Sequence, residues 1–416
     1  ILKRGGSAVD AAIAGLICTS VMNPQSSGLG GGVVFTIYNA STGTVEVINA
    51  RETAPQGIPS DLLSGCTSLH IGPKWIAVPG EIRGYEEAHK RYGRLPWKSL
   101  FEPTIKLLSD PLVVSPVMDK IINHRNFSHV GRNLCPLICD GQRFLTRGKT
   151  FRWPALQKTL KILAESGATA FYEGEIGKAL VEDIKKVGSV ITMEDLKAYK
   201  AEVSSALNIT LNKNITVFSP PPPMGGAVLL FILKILEGKA LRESVQRFAK
   251  RFAKRTDLSI RKLIGRKGLV VAMMLCNKTA ERVRSKIDAR GDHPVDHYNF
   301  SKFLSNCNYE SKGTSHISVL AADGSAVSAT STINFPFGSF VYSNQTGIIL
   351  NNELADFCTG KSSIRAGERP PSAMVPSILI SKSGDMLVIG GAGGDWIISA
   401  TAMVSEEVLH RNPLHQ

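Results

Sequence analysis

The sequence lacks a segment that could span a membrane. Its most apolar stretch, GGAVLLFILKIL beginning at Gly225, is short and contains Lys234. A spanning helix needs roughly 20 mainly apolar residues, so we do not expect the chain itself to cross a bilayer. A signal peptide is absent from its first residues, which lack an initiating Met and already follow the pattern of an amphipathic helix from Ser7 to Met22. We therefore expect the natural chain to begin further upstream.

Two common catalytic and cofactor motifs are also missing. No G-x-S-x-G elbow occurs, and none of the nine histidines stands in an obvious triad context, so a serine hydrolase has little support. The segment MLVIGGAGGDWIISATAM has the strand, glycine loop and helix order of a dinucleotide site, but Gly391, Gly393 and Gly394 do not match G-x-G-x-x-G. This loop offers instead a group of backbone N–H donors at a helix start, which suits an anion or oxyanion.

Metal-ligand spacing is absent as well. The chain has no C-x-x-C pair. In GDHPVDHY, Pro294 prevents His293 and His297 from pairing as ligands on one helix, which favours a solvated loop over a metal site. We therefore expect no metal and no cofactor.

The basic charge of the chain does not come with a nucleic-acid-binding pattern. The net charge is +14, and its excess is concentrated between Lys234 and Arg290, in runs such as RFAKRFAKRT and IRKLIGRKG. No interleaved aromatic platform or recognition motif accompanies these charges, so we expect no nucleic-acid partner. Otherwise the composition, 43% hydrophobic and 20% charged, is that of a globular chain of one large domain or two.

Glycosylation sequons and cysteines indicate the compartment. The sequence contains more N-x-[ST] sequons than the about two or three expected by chance; they lie at Asn39, Asn126, Asn208, Asn214, Asn277, Asn299 and Asn344. Cys135 and Cys139 are close enough to close a small disulfide loop, and the seven cysteines leave at least one thiol without an internal partner. Both features favour a secreted or lumenal protein.

Hairpins and helices are predicted in separate runs. Hairpins are expected in GGVVFTIYNASTGTVEVIN, in SILISKSGDMLVIG, and between His316 to Leu320 and Ala326 to Thr332 around the turn Asp323-Gly324. Helices are expected in PGEIRGYEEAHKRYG, WPALQKTLKILAESG and GEIGKALVEDIKKVG, and in GGAVLLFILKILEG after a proline-rich loop. This order favours an antiparallel α+β layering over alternating βαβ units.

Thr314 is the most promising candidate for hydroxyl chemistry. It stands at the tip of the first strand of the third hairpin, directly after Gly313, which gives the backbone room to distort. A threonine needs no histidine if it is the first residue of a chain, because its own α-amine then serves as the base. For Thr314 this requires cleavage of the bond after Gly313.

Several segments together resemble the gamma-glutamyltransferase, or glutathione hydrolase, family. The resemblance runs from residue 4 to about 235 and from about 288 to 404, and it is carried by RGGSAVDAAIAGLIC, GLGGG, VINARETAP, GTSHISVLAADGSAVSATSTIN, NNELADF, RPPSAMVPSI and GGAGGD. Within the family, RGDHPVDHY, FPFG and PPSAMVPSILI are most similar to the vertebrate branch that acts on glutathione conjugates such as cysteinyl leukotrienes.

The resemblance implies a fold, a maturation step and a reaction. The fold is a four-layer αββα sandwich of the N-terminal nucleophile hydrolase type. Self-cleavage before Thr314 yields a large subunit, 1–313, and a small subunit, 314–416. The mature enzyme cleaves the γ-glutamyl bond of glutathione or its conjugates through an ester on Thr314, and passes the group to water, an amino acid or a dipeptide. The resemblance places it at the outer face of the plasma membrane or in secretions, with any membrane anchor upstream.

The family motifs also imply site residues. The expected catalytic residues are the nucleophile, a threonine that contacts its amine, and two glycines whose N–H groups hold the oxyanion: Thr314, Thr332, Gly393 and Gly394. The donor's carboxylate is assigned to Arg51 and to the pair Ser372 and Ala373, and its ammonium to Asn334, Glu353 and Asp356.

Three departures from the family pattern keep a second hypothesis open. Ala373 stands where the family usually has a second serine. Between about 240 and 287 the pattern degrades, and the chain ends at Gln416 before the small subunit of the family would end. The alternative is an unprocessed, inactive relative that serves as a binding or structural glycoprotein.

Overall fold

The computed structural model describes residues 1–67, 70–124, 127, 130–237, 313–358 and 363–411. Helices α1 to α11 within these ranges are Ala8–Met22, Glu81–Tyr92, Lys98–Leu107, Pro116–Ile122, Cys135–Ile138, Pro154–Ser166, Thr169–Tyr172, Glu175–Lys186, Met193–Ala198, Gly226–Leu236 and Trp396–Arg411. Strands β1 to β13 are Gly32–Asn39, Thr44–Ala50, Leu112–Val113, Cys139–Asp140, Arg143–Phe144, Thr150–Phe151, Glu202–Ser205, Leu207–Leu211, Ile215–Ser219, Ser315–Leu320, Ala326–Thr332, Ser377–Ser381 and Met386–Ile389.

Two sheets form the centre of the molecule. One has five strands in the order β10-β11-β1-β2-β7, and the other has four in the order β13-β12-β9-β8. All strand pairs within both sheets are antiparallel. The predicted hairpins and the predicted antiparallel layering are confirmed.

The two sheets pack face to face, and helices cover their outer sides. Between the sheets lie buried apolar side chains, and Ser328 of β11 donates its hydroxyl to the Ile389 carbonyl of β13 at 2.8 Å. Helices α1 and α2 pack on the five-stranded sheet, and α10 packs on the four-stranded sheet and against α11. This is the predicted four-layer αββα sandwich.

Helix α1 begins with a capping box that also ties it to a distant loop. The Ser7 hydroxyl accepts from the Asp10 N–H at 3.0 Å, and the Asp10 carboxylate accepts from the Ser7 N–H at 2.9 Å. The same carboxylate oxygen accepts from the N–H groups of Arg94 and Leu95, at 2.9 and 3.0 Å. One buried carboxylate therefore satisfies three backbone donors from two parts of the chain.

The prediction that α1 is amphipathic is wrong. Val9, Ile13 and Ile17 are buried, and so are Asp10 and Ser20. The helix is covered by β10 and β11 and by the helices α2 and α3. The positions of this helix that remain exposed or partly exposed are mainly apolar, so it has no polar face towards water.

Cysteines and sequons of the described residues fit the predicted compartment. Cys135 and Cys139 form the predicted disulfide, and a second disulfide joins Cys66 to Cys358. Of the four sequon asparagines that are described, Asn208, Asn214 and Asn344 are exposed and Asn39 is partly exposed.

No helix in the described ranges is both long and apolar enough to cross a membrane. The basic runs after residue 237, the histidines of GDHPVDHY, and the sequons at Asn126, Asn277 and Asn299 lie outside the described residues.

Asp10→Ala is expected to destabilise the protein more than Ser7→Ala. The first change leaves three partly buried backbone N–H groups without this acceptor, at about 1 kcal/mol or more each. The second removes one cap worth about 1 kcal/mol. Denaturant unfolding of both variants measures the difference, and equal losses would show that the contacts of Asp10 to the loop contribute nothing.

Candidate active site

The predicted site residues converge because of how the strands of the five-stranded sheet are paired. Ser315 lies opposite Ser331, Thr332 opposite Gly32, and Val33 opposite Ala50. The start of β10 and the ends of β11 and β2 therefore lie together at the same end of the strands of this sheet. Three predicted residues stand at these points: Thr314, Thr332 and Arg51.

Gly313 fits closely against the segment that follows β11. Its N–H donates to the Asn334 carbonyl at 3.1 Å. A Cβ at this position would lie 2.6 Å from the same oxygen, so the backbone would have to shift for any larger residue. The bond between Gly313 and Thr314 is held in place by this contact.

The Gly313 carbonyl oxygen accepts two hydroxyl groups. Thr314 Oγ1 donates to it at 2.5 Å and Thr332 Oγ1 at 2.7 Å. Thr332 Oγ1 in turn accepts from the Asn334 N–H at 2.9 Å, which directs its own proton towards the carbonyl. The contact between Thr332 and the amine of Thr314 stays a prediction, because in the uncut chain that nitrogen belongs to the peptide bond.

The Arg51 guanidinium lies among three buried carboxyl groups. Its Nη2 is 2.6 Å from both Glu353 Oε2 and Asp356 Oδ2, and its Nη1 is 3.7 Å from Glu52 Oε2. Burial raises the pKa of Glu353 well above its usual value and that of Glu52 to about 8, although the Arg51 charge opposes both shifts. One cation offsets the charge of only part of this cluster, so burial shifts the remaining carboxyl groups towards their neutral form.

Asn334 connects this cluster to the threonines. Its Nδ2 donates to Asp356 Oδ1 and to the Asn352 carbonyl, both at 3.2 Å. Its backbone has a φ of 73°, in the left-handed region that few residues other than glycine adopt and that asparagine tolerates best. Strained backbone of this kind is concentrated at functional sites.

All predicted catalytic and substrate-binding residues except Gly393 line one small cavity. Its volume is about 20 Å³, which is room for about one water molecule. Met374 and Ile397 also line it and were not predicted, since a buried apolar residue carries no chemical signal. The full lining is Arg51, Thr314, Thr332, Asn334, Glu353, Asp356, Ser372, Ala373, Met374, Gly394 and Ile397.

The predicted glycine loop lies at the start of helix α11. Gly393 and Gly394 have φ values of 113° and 61°, which favour glycine. Their carbonyl groups accept from the N–H groups of Trp396 and Ile397 and so begin the helix. Gly394 lines the cavity and Gly393 is its neighbour, so the loop stands beside Thr314, and its oxyanion role stays a prediction.

Two buried acids were missed by the sequence reasoning. Glu52 directly follows Arg51. Glu81 opens helix α2 and accepts the Tyr85 hydroxyl at 2.5 Å. Burial raises the pKa of Glu81 to about 8, against the opposing effect of the hydrogen bond from Tyr85. In the sequence both acids resemble ordinary surface charges, and only the tertiary packing distinguishes them.

The four-layer sandwich with two central antiparallel sheets is the fold of the N-terminal nucleophile hydrolases. Cephalosporin acylase from Bacillus halodurans has this fold: the TM-score is 0.80 at 21% identity, covering 98% of this chain and 77% of that chain. For gamma-glutamyltranspeptidase from Pseudomonas nitroreducens complexed with L-DON, the TM-score is 0.58 at 26% identity. The match covers 71% of this chain and 92% of that chain. The predicted fold class is confirmed.

Sequence comparison narrows this class. The family model described as gamma-glutamyltranspeptidase matches residues 1–414. Glutathione hydrolase 5 proenzyme of Rattus norvegicus is 49% identical over 96% of this chain and 74% of its own length. The Homo sapiens protein of the same name is 46% identical over 97% of this chain and 75% of its own length. The chain belongs to the gamma-glutamyltranspeptidase family, and the predicted enzyme class is confirmed.

Glu81→Gln is expected to flatten the dependence of stability on pH. Because the pKa of Glu81 is about 8 in the folded protein against an ordinary value of 4.5, the unfolded chain loses this proton first, and stability falls as pH rises from about 4.5 to about 8. Glutamine has no such proton. The expected change is on the order of a few kcal/mol across that window.

Unfolding free energies of the wild type and Glu81→Gln at pH 5 and pH 8 measure this change. Glu86→Gln, on the same helix and partly exposed, serves as the control. Identical slopes for the wild type and Glu81→Gln would show that Glu81 does not titrate in this range.

Proposed function

We propose that the chain cuts itself between Gly313 and Thr314 and then acts as a γ-glutamyl hydrolase and transpeptidase with Thr314 as its nucleophile. The observation that best supports this is the Gly313 carbonyl, whose oxygen accepts hydrogen bonds from both Thr314 and Thr332. The cut divides the chain into residues 1–313 and 314–416. The word proenzyme in the names of two relatives fits this maturation.

Maturation begins with attack of Thr314 Oγ1 on the Gly313 carbonyl carbon. As the new C–O bond forms, the bond from that carbon to the Thr314 nitrogen breaks, and the hydroxyl proton ends on the nitrogen. Water then hydrolyses the ester and leaves a carboxylate on Gly313 and a free hydroxyl on Thr314. Thr332 donates to the oxygen on which negative charge develops, and such a donor is worth about 10² to 10³ in rate.

Turnover uses the amine that maturation has released. The α-amine of Thr314 accepts the proton of the Thr314 hydroxyl, whose oxygen attacks the γ-carbonyl carbon of the donor. The C–N bond of the donor breaks, its amine departs with the proton, and a γ-glutamyl ester remains. Water or the amine of an amino acid or dipeptide then takes the group from the ester. The N–H groups of Gly393 and Gly394 face the oxyanion of both steps.

The charges of the cavity match the free amino-acid end of a γ-glutamyl group. Its ammonium suits Glu353, Asp356 and the carbonyl oxygen of the Asn334 side chain, and its carboxylate suits Arg51 and the Ser372 hydroxyl. In the uncut chain Arg51 is itself paired with the two acids. Donor binding therefore exchanges this internal pair for two pairs with the substrate.

The donors that we propose are glutathione and its S-conjugates. Cysteinyl leukotrienes are the conjugates to test first, because the sequence motifs are most similar to the branch that uses them. We place the enzyme outside the cell, either secreted or held at the outer membrane face by a segment upstream. The exposed sequons and the two disulfides support this location.

Thr314→Ala is expected to abolish both cleavage and turnover, whereas Thr314→Ser retains part of each. Thr332→Val removes the donor to Gly313 without changing the side-chain shape and is expected to slow cleavage by about 10². A time course on denaturing gels under reducing conditions measures the cut fraction. Cleavage in Thr314→Ala would contradict the mechanism, and an uncut wild type would favour the alternative of an inactive glycoprotein.

Asp356→Asn is expected to raise KM for a γ-glutamyl anilide about 10- to 100-fold, which is about 1.4 to 2.8 kcal/mol. The change removes one negative charge at the ammonium position and keeps the shape of the side chain. Asp323→Asn, at a surface ion pair with Arg94, is the matched control and should leave KM unchanged. A KM within twofold of the wild type would remove Asp356 from the donor site.

A further inference from the structure

A disulfide joins two distant parts of the chain beside the candidate active site. Cys66, in the 3-10 helix Leu62–Thr67, is bonded to Cys358, which directly follows the 3-10 helix Glu353–Phe357. The two cysteines are 292 positions apart in the sequence. The chemistry proposed above makes no use of this bond.

The disulfide spans the proposed cleavage point. Cys66 lies before Gly313 and Cys358 lies after it, whereas Cys135 and Cys139 both lie before it. Among the disulfides of the described residues, the bond between Cys66 and Cys358 alone would therefore link the fragments 1–313 and 314–416 after the cut. A covalent link makes the association of two fragments intramolecular and independent of their concentration.

The same bond closes a ring of residues that includes an ion pair of the donor site. Arg51 begins the segment that leads to Cys66, and Asp356 stands two residues before Cys358. At the other side of the ring, Arg51 Nη2 lies 2.6 Å from Asp356 Oδ2. Two segments of the chain are thus joined twice, by an ion pair at the cavity and by a disulfide.

The helix that carries two of the acids depends on such contacts. The 3-10 helix Glu353–Phe357 has only five residues, and short 3-10 helices have poor hydrogen-bond geometry of their own. It is held instead by an apolar cluster on which both cysteines pack: Ala54, Leu62, Trp75, Ala77, Leu354, Ala355 and Phe357. The disulfide is the covalent part of this attachment.

We propose that the disulfide between Cys66 and Cys358 is a positioning element of the donor site and the covalent tether between the two fragments. This inference rests on the proposed function. The intact bond holds the short helix that carries Glu353 and Asp356 close to Arg51. The acids and the guanidinium can then exchange their mutual ion pair for pairs with the ammonium and the carboxylate of a donor. Without it the short helix can shift, and a displacement of about 1 Å at a substrate-positioning group is enough to weaken the site strongly.

The test compares the wild type with Cys66→Ser/Cys358→Ser and with the matched control Cys135→Ser/Cys139→Ser, whose disulfide lies within one fragment. After thiols are blocked, each protein is run on denaturing gels with and without reductant. KM and kcat are then measured with a γ-glutamyl anilide. If the double variant at 66 and 358 fails to fold, mature wild type and the control variant are mildly reduced and alkylated instead. In both proteins the bond between Cys66 and Cys358 is then broken, and KM should rise about tenfold over the untreated form. An unchanged KM would contradict the positioning role.

The expected wild-type result is one band without reductant and two bands with it. Cys66→Ser/Cys358→Ser should give two bands in both lanes, with KM raised about tenfold and kcat within about twofold. The control should match the wild type in all three measurements. This split between KM and kcat distinguishes positioning of the donor site from a general loss of structure.

Three results would overturn the inference. Wild-type fragments that separate without reductant would show that no tether exists. A KM for Cys66→Ser/Cys358→Ser equal to that of the control, or a loss confined to kcat, would show that the bond does not position the donor site. A wild type that stays a single band with reductant would instead refute self-cleavage, and with it the proposed function. Failure of the tether gives two bands without reductant, so the gels distinguish the two failures.

Discussion

The buried guanidinium of Arg51, paired with two carboxyl groups from a distant part of the chain, is the interaction on which the site depends. Its Nη2 lies 2.6 Å from both Glu353 and Asp356. A buried charge needs a partner of opposite charge. Removing one partner of a buried ion pair destabilises the protein by more than the intact pair stabilises it, because the remaining charge is left unpaired. Arg51, at the end of β2, and the two acids, in the segment after β11, must therefore come into contact as they are buried. The residues brought together in this way line the cavity.

The excess of acid around Arg51 has a physical cost that the fold offsets elsewhere. Burial raises the pKa of Glu353 and of Glu52, so the cluster avoids net negative charge by retaining protons. An entering ammonium would replace those protons as the balancing charge. Two other contacts supply stability that does not depend on the charges. One is the pair of backbone hydrogen bonds that Ala54 makes with Gly367 and Glu368, and the other is the apolar cluster that includes Trp75.

The features that the sequence predicted correctly are those that local chemistry determines. The turn at Asp323-Gly324 and the alternating strands beside it specify the hairpin β10-β11. Apolar periodicity predicted α2, α6, α8 and α10, but not α3, α4, α5, α7 or α9. The candidate site residues were assigned through motifs, and all of them except Gly393 line one cavity, while their roles stay predictions. Local patterns gave no sign that β11 also pairs with β1, because this register is set by the packing of the whole sheet.

Long-range burial explains what the sequence did not reveal. Helix α1 was expected to have a polar face, yet sheet and helices enclose it. Glu52 and Glu81 are acids in unremarkable positions that only tertiary contacts remove from water. Cys66 and Cys358, which are 292 positions apart, could not be paired from spacing, since an odd number of cysteines leaves many pairings open.

The uncut bond itself indicates how a donor would lie in the mature site. Under the proposed function, Thr314 attacks a carbonyl twice, first that of Gly313 and then the γ-carbonyl of a donor. In the uncut chain the first carbonyl occupies a position beside Thr314 Oγ1 and Thr332 Oγ1, and the cavity that remains, about 20 Å³, is too small for a γ-glutamyl group. Cleavage has two effects on this site. It frees the Thr314 amine, which then acts as the base, and it allows the Gly313 carbonyl to move away and make room for the donor. The donor's γ-carbonyl then takes the place of a peptide that the fold had already aligned with its nucleophile.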